Sequence, residues 1–267
     1  MHPIERLRYV ARSSGAPQDL LVAETAGALL SFRDDPTALV TACRRIVSRQ
    51  LTSGALWWLC SRILCAADPV AEARAAVDEI EADATSRHLA LGLPDDATVA
   101  VLGWQSLVAS ALRHRGDVEV LVVDTLGEAA SFVRHLEGRD IDATEVPLSG
   151  LGAAVAASDL VVGEASAAGP SSFLAVAGTR AACAVARTSG VPMWLAVGVG
   201  RLLPTRVWDA LEARLDLEDE PWDADDEVVP LSLVDTVIGP TGTVSPDELG
   251  AHVACPIAPE LFKADIT

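Results

Sequence analysis

Apolar residues along this chain follow two different rhythms, and the change between them falls near residue 93. In the first part they recur at three- and four-residue spacings, the signature of amphipathic helices. Ile4, Leu7, Tyr9 and Val10 mark one apolar face, and Asp19 to Phe32 reads as a second helix. Asp35-Pro36 sets a capping acid before a proline at the first helical position, which predicts a helix to Arg49. Thr52 or Ser53 would cap a fourth helix through Trp57, Trp58 and Ile63, and Asp68-Pro69 opens a fifth ending near His88. After Leu93-Pro94-Asp95-Asp96 the rhythm becomes short apolar runs: Thr98–Leu102, Val118–Val123, Ala143–Val146, Leu160–Val162 and Met193–Val197. Helical segments are expected between them, near 106–114, 127–137, 149–157 and 173–188. Strands alternating with helices imply right-handed crossovers and a parallel sheet. The expected fold is therefore α/β, with a helical N-terminal domain (1–92) followed by a Rossmann-like parallel-sheet domain (93–267).

The segment Ser158–Pro192 carries the clearest functional geometry. A strand runs into Gly163, then a loop of small residues, then a helix, then Gly190-Val191-Pro192 opening another strand. Ligands of open α/β sheets bind at the carboxyl ends of the strands, yet this loop offers Glu164 as its only acid. The first strand is followed by Gly103-Trp104-Gln105-Ser106 rather than a glycine-rich phosphate fingerprint, so a dinucleotide is not expected. Residues 214–228 form an acidic run that reads as a solvated loop, with an interaction tail as the alternative. From Val229 to Leu249 one more strand and a turn at Gly239-Pro240-Thr241-Gly242 are expected, then a helix start at Ser245-Pro246.

Charge narrows the partners. With 20 basic residues against 38 acidic ones the chain carries −18, which argues against direct binding of nucleic acid. Lys263 is the only lysine among those 20. Abundant acid with almost no lysine is the composition of a salt-adapted, haloarchaeal type of source, where a hydrated acidic surface keeps protein in solution. The 5 cysteines (Cys43, Cys60, Cys65, Cys183 and Cys255) show no paired spacing for a metal and sit on apolar stretches, as buried reduced thiols of a cytoplasmic protein do. The N-terminus interrupts any signal-like stretch with charges, and no run is long enough to span a membrane. No cofactor and no metal are expected.

The order of these parts resembles one superfamily. It contains the alpha, beta and delta subunits of translation initiation factor 2B, methylthioribose-1-phosphate isomerase and ribose-1,5-bisphosphate isomerase. The resemblance is carried by Asp159–Glu164 with Gly178-Thr179 and Gly190-Val191-Pro192, similar to the family's V-G-A-[DE], N-K-x-G-T and G-[IV]-P-F. Ser149 with Gly152, Val122–Thr125, and Pro230–Val234 with Thr241-Gly242 and Ser245-Pro246 add to it. In the N-terminal half Ser14–Pro17 and Arg49–Ser53 resemble R-G-A-P and R-P-T-[SA]. The resemblance implies a dimer or higher oligomer and a nucleotide or sugar-phosphate ligand. The positions it marks for ligand contact are Arg12, Gly15, Arg49, Gln105, Ser106, Asp124, Ser149, Gly163, Glu164, Gly178 and Thr179.

Departures from the pattern bear on catalysis. The isomerases' cysteine falls on Gln105 and their catalytic aspartate on Ala165. The Asn-Lys pair falls on Ala175 and Val176, an arginine on Leu126 and an aspartate on Leu148. Moving a proton between adjacent carbons needs a positioned acid or base, and losing one costs roughly two to four orders of magnitude in rate. The expected function is thus a non-catalytic, associating protein of the initiation factor 2B type. The alternative is a sugar-phosphate isomerase with a relocated site using Glu164, Asp124 or Arg12. Other features have bland readings: His88, His114 and His135 sit near helix ends, and Arg12 and Arg49 read as surface arginines or anion holders. Trp104 and Trp194 are expected near the pocket, filling the space of a sugar phosphate, and Trp57 and Trp58 are not expected both to point inward.

Overall fold

The computed structural model describes residues 17–215 and 221–263. The expected helix at residues 4–10, together with Arg12 and Gly15, lies outside them, as does part of the acidic run. The helical layer comprises α1 (Gln18–Leu29), α2 (Pro36–Arg49), α3 (Gly54–Cys65), α4 (Pro69–Glu81) and α5 (Thr85–Gly92). The proline-start signals act as expected: Asp35 Oδ1 accepts the Ala38 N–H at 2.9 Å, and Asp68 Oδ1 accepts those of Val70 and Ala71 at 3.0 Å. Each such cap contributes about 1 kcal/mol. The single helix expected from Pro69 to His88 is in fact two, because Asp83 Oδ1 turns back to accept the Thr85 N–H at 2.8 Å and starts α5 afresh.

The rest of the chain alternates. In order come β1 (Thr98–Leu102), α6 (Ser106–Leu112), β2 (Glu119–Asp124), α7 (Ala129–Glu137), β3 (Asp142–Pro147), α8 (Leu151–Ala157) and β4 (Leu160–Glu164). They are followed by β5 (Ala167–Ala168), β6 (Ser172–Val176), α9 (Thr179–Ser189), β7 (Met193–Ala196), α10 (Thr205–Glu212), β8 (Asp226–Pro230), β9 (Thr236–Gly239) and β10 (Gly242–Val244). A 7-stranded sheet has the order β10-β9-β7-β4-β1-β2-β3, parallel except for the β9–β10 hairpin at the expected turn. The five runs expected between Thr98 and Val197 agree closely with β1, β2, β3, β4 and β7, since near-continuous apolar runs are what a sheet buried on both faces requires. The one further strand expected after Val229 is in fact the end of β8 and the pair β9 and β10. One face packs α5, α6 and α7 through Leu89, Val108, Leu112, Phe132 and Leu136. The opposite face packs α8 and α9 through Leu151, Val155, Ala182, Cys183 and Ala186. Pro246–His252, expected as a helix start, forms a 3₁₀ turn.

A second sheet, β5-β6-β8, was not expected. The helix predicted from residue 173 begins only at Thr179, because Ser172–Val176 pairs antiparallel with Pro230–Asp226. Gly178, at φ +96°, makes the turn between that strand and α9. The end of the acidic run is correspondingly strand β8 rather than solvated loop. The small sheet faces the helical layer: Ala167 and Leu174 share a core with α1–α4, with α10 through Val207, Trp208 and Leu211, and with Cys255 and Leu261 near the chain's end.

At the centre of that core α3 is buried on every side. Trp57 and Trp58 are 0% and 2% exposed, which overturns the expectation that only one could point inward. Adjacent side chains diverge by about 100° around a helix, and here both directions meet protein. The Arg214 guanidinium lies 5.1 Å from the Trp57 ring, and that of Arg62 4.6 Å from Trp58.

Candidate functional site

Strand order reverses at β1, whose neighbours are β2 on one side and β4 on the other. A crevice opens beyond the carboxyl ends of parallel strands at such a switch point. Here it is a cleft of about 860 Å³ between the helical layer and the sheet, within the range of small-molecule sites. Gly103 leaves β1 at φ +58°, turning the chain so that Trp104, Gln105 and Ser106 line the cleft. The helical wall is Gln18, Arg49 and Gln50–Ser53, and the small sheet supplies Ala175, Val176, Asp225 and Asp226.

Gln18 fastens the two walls. Its Nε2 donates to the Ser166 carbonyl at 2.9 Å, while its Oε1 accepts the Ser53 hydroxyl at 3.0 Å and the Ala55 N–H at 3.1 Å. The Gly54 N–H donates to the same Ser166 carbonyl at 3.0 Å. Across the molecule Asp83 Oδ2 accepts the Val199 N–H at 2.9 Å, holding the loop after β7 against the helices.

That loop delivers the residue at the heart of the site. Arg201 is 5% exposed, and its Nη1 donates to Glu164 Oε1 at 2.6 Å and to the Ala165 carbonyl at 2.7 Å. Glu164, at the end of β4, also accepts the Ser106 hydroxyl on Oε1 at 3.0 Å and the Leu107 N–H on Oε2 at 2.8 Å. Both members of the ion pair are nearly sealed, with side chains 7% and 9% exposed. Breaking such a pair by removing one partner strands a buried charge. Glu164 and Ser106 are legible in the sequence as candidate residues, whereas Arg201 and Gln18 are not. The signal for Arg201 was Gly198-Val199-Gly200-Arg201 directly after an apolar strand. Gly198 leaves no room for a side chain, since a Cβ there would lie 2.7 Å from Asp83 Oδ2.

Gln105 is 6% exposed; its Nε2 donates to the Leu102 carbonyl at 3.0 Å, and its buried Oε1 finds no partner among the described residues. Asp226 is held by the opposite wall. Its burial, and secondarily the neighbouring Asp225 charge, push its carboxyl up to about 6.

Of the positions marked by the resemblance, the cleft brings together Arg49, Gln105, Ser106 and Glu164. Leu126, Ala175 and Val176, apolar residues at positions where the resemblance implied polar ones, line it as well. The other marked positions among the described residues are not on its lining. Asp124 Oδ1 accepts the Ala129 N–H at 3.2 Å at the start of α7, and Ser149 is exposed on the turn before α8. Gly163 lies under Met193, and Gly178 and Thr179 open α9, the Thr179 hydroxyl donating to the Val176 carbonyl at 2.6 Å. Ala165 is fully buried, and Leu148 is exposed outside the cleft.

The tryptophans do not plug the cleft. Trp104, 40% exposed, tilts against Phe132 and His135 with ring centres 5.2 and 5.0 Å away. Trp194 packs on the α5–α7 face beside Gly92. Burial by these rings, with Arg139 and Arg113 nearby, lowers the His135 imidazole, while His88 Nδ1 lies 3.0 Å from the Gly239 carbonyl. Among the described residues no group of His, Cys, Asp and Glu is arranged to hold a metal, and no helix is long and apolar enough to cross a membrane.

No protein-family model matches this chain, and no curated protein is similar to it in sequence. Solved structures are. The Pyrococcus horikoshii translation initiation factor eIF-2B matches at TM-score 0.76 and 16% identity, over 91% of this chain and 97% of that one. The beta subunit of eIF2B from Chaetomium thermophilum matches at 0.70 and 15%, over 98% and 92%. A chain of the tetrameric beta2-delta2 complex from C. thermophilum matches at 0.76 and 16%, over 93% and 92%. The fold is that of the initiation factor 2B subunits, as the sequence resemblance implied.

Proposed function

We propose that this chain is a non-catalytic protein of the initiation factor 2B type, which works in the cytoplasm by associating with copies of itself and binds a small regulatory molecule in its cleft. The observation that carries this reading is the state of Glu164. A general base must have a lone pair free to take the substrate's proton. Three of the four acceptor positions of Glu164 are instead engaged, by Arg201 and Ser106 on Oε1 and by the Leu107 N–H on Oε2, and its side chain is only 9% exposed beside its cation. The neighbouring position, where the isomerases carry their acid, is the buried methyl of Ala165. Association is supported by the likeness to subunits of a tetrameric complex. The division into a helical domain (1–92) and a sheet domain (93–267) is part of the same proposal, with the cleft between them.

Asp226 favours a second reading. A carboxyl raised to about 6 on the wall of a cleft is suited to general acid–base work, and would serve an isomerase with a relocated site. Two measurements separate the readings. Light scattering on purified protein at micromolar concentration is expected to show a dimer or larger, and a monomer would overturn the associative reading. Turnover assays with ribose-1,5-bisphosphate and methylthioribose-1-phosphate are expected to show none. Turnover abolished by Asp226→Asn would establish the second reading.

A further inference from the structure

Two large apolar side chains on the cleft lining stand partly in water: Trp104 is 40% exposed and Leu126 44%. They follow the paired strands β1 and β2, so they leave the sheet at the same carboxyl edge. Exposed apolar surface inside a cleft marks a ligand site, and what it implies here rests on reading the cleft as one.

The Trp104 ring is held rather than free to fold away. Phe132 and His135, both on α7, support it with ring centres 5.2 and 5.0 Å distant. The turn that carries it is fixed as well. The Gly103 N–H donates to the Val123 carbonyl at 2.9 Å, and Gln105 Nε2 donates to the Leu102 carbonyl at 3.0 Å. An aromatic group set in place in this way costs little further ordering when a ligand binds.

What an exposed indole holds best is another planar ring. Nucleobases stack on aromatic side chains whatever their identity, because every base has a π-face. A bare sugar phosphate has no such ring and leaves Trp104 and Leu126 in water. The rest of the lining suits the other parts of a nucleotide. Arg201 is taken by Glu164, but Arg49, exposed at the end of α2, is a cation for an anionic group. Glu128, one turn before Phe132, offers an acceptor to the amino edge of a base. A cleft of about 860 Å³ holds base, ribose and phosphate together.

We propose that Trp104 is a stacking platform, through which the cleft selects a nucleoside monophosphate over the corresponding sugar phosphate. The base lies on the indole against Leu126, and the phosphate is directed toward Arg49. The resemblance leaves these two ligands unseparated, and Trp104 is not among the positions it marks.

The test uses the intact protein at fixed salt, with calorimetry for affinity and tryptophan emission as a second readout. AMP is compared with ribose 5-phosphate, which carries a hydroxyl where AMP carries its base. AMP is expected to bind at least about fivefold more tightly. Trp104→Leu is expected to bring that ratio down to about one, with the affinity for ribose 5-phosphate unchanged. Trp104→Phe keeps a ring against Phe132 and His135 and is expected to retain most of the ratio. AMP is expected to quench tryptophan emission in the parent and not in Trp104→Phe, although that variant still binds it. Equal affinities for the two ligands, no binding of AMP at millimolar concentration, or a ratio unchanged in Trp104→Leu would overturn the inference. Any of these results, in protein that is oligomeric and inactive, leaves the proposed function standing. A monomer in light scattering, or turnover of a phosphorylated sugar, would remove that function and leave the ratio as it is.

Discussion

Replacing Asp226 with asparagine should make this protein more stable, and only at neutral and alkaline pH. Its carboxyl is lifted from the 3.8 of an ordinary aspartate to about 6, first by burial and then by the Asp225 charge. At 1.36 kcal/mol per pH unit, that corresponds to a penalty of up to ~3 kcal/mol once both states are ionised. The sign follows from proton binding. Between about pH 4 and pH 6 the folded chain keeps a proton that the unfolded chain has released, so stability falls as pH rises through that window. Below it both states are protonated and the penalty is gone. Asparagine keeps the shape and removes the charge, so Asp226→Asn should gain ~1–3 kcal/mol at pH 8 and almost nothing at pH 4. For a chain of this size that is a rise in Tm of about 2–10 °C. Melting curves of parent and variant at equal protein concentration, from pH 4 to pH 8, give the difference in which the titration of the other acids largely cancels. A variant less stable at pH 8, or a difference that does not change with pH, would refute the reasoning.

Two further tests address the packing around the cleft. Arg201→Met leaves Glu164 buried without its cation and should cost ~3–5 kcal/mol in urea unfolding. Adding Glu164→Gln should recover part of that loss, whereas strictly additive effects would show that the pair is not coupled. Gly169→Ala and Gly163→Ala form a second, internally controlled pair. A Cβ at Gly169 would lie 2.4 Å from the Trp208 ring, and one at Gly163 would lie 2.7 Å from the mobile tip of Met193. The first should cost ~1–3 kcal/mol and the second distinctly less, because a methionine end can swing aside; equal costs would contradict this.

What the sequence disclosed of the fold was what is decided locally. Asp35-Pro36 and Asp68-Pro69 announce helix starts because cap and helix are adjacent in the chain. The runs from Thr98 to Val197 announce strands because a doubly covered parallel sheet needs uninterrupted apolar residues. Strand β6 escaped because SFLAV is as apolar as the helix that follows it, and its partner Asp226–Pro230 lies far along the chain in an acidic stretch. Trp57 and Trp58 misled for a related reason. A helix with one buried face is the usual case, but α3 lies between the other helices, the small sheet and the Gly200 turn.

The candidate site shows the same limit more sharply, because its chemistry depends on pairing rather than on inventory. Glu164 stood out in the sequence as a solitary acid, and a solitary acid invites a catalytic role. Its partner Arg201 is 37 residues away, one arginine among many, and the bond between them changes what the carboxylate is able to do. Gln18 spans 148 residues to reach Ser166, and nothing in its neighbourhood marks it. Gln105 is the reverse case: it read as a lost nucleophile, a position defined by what it lacks. In the fold it is 6% exposed and its amide nitrogen is bonded to the Leu102 carbonyl, so it braces the turn that leaves β1. A position that lacks a reactive group is therefore not an empty one: the amide that stands there is tied into the turn that shapes the cleft wall.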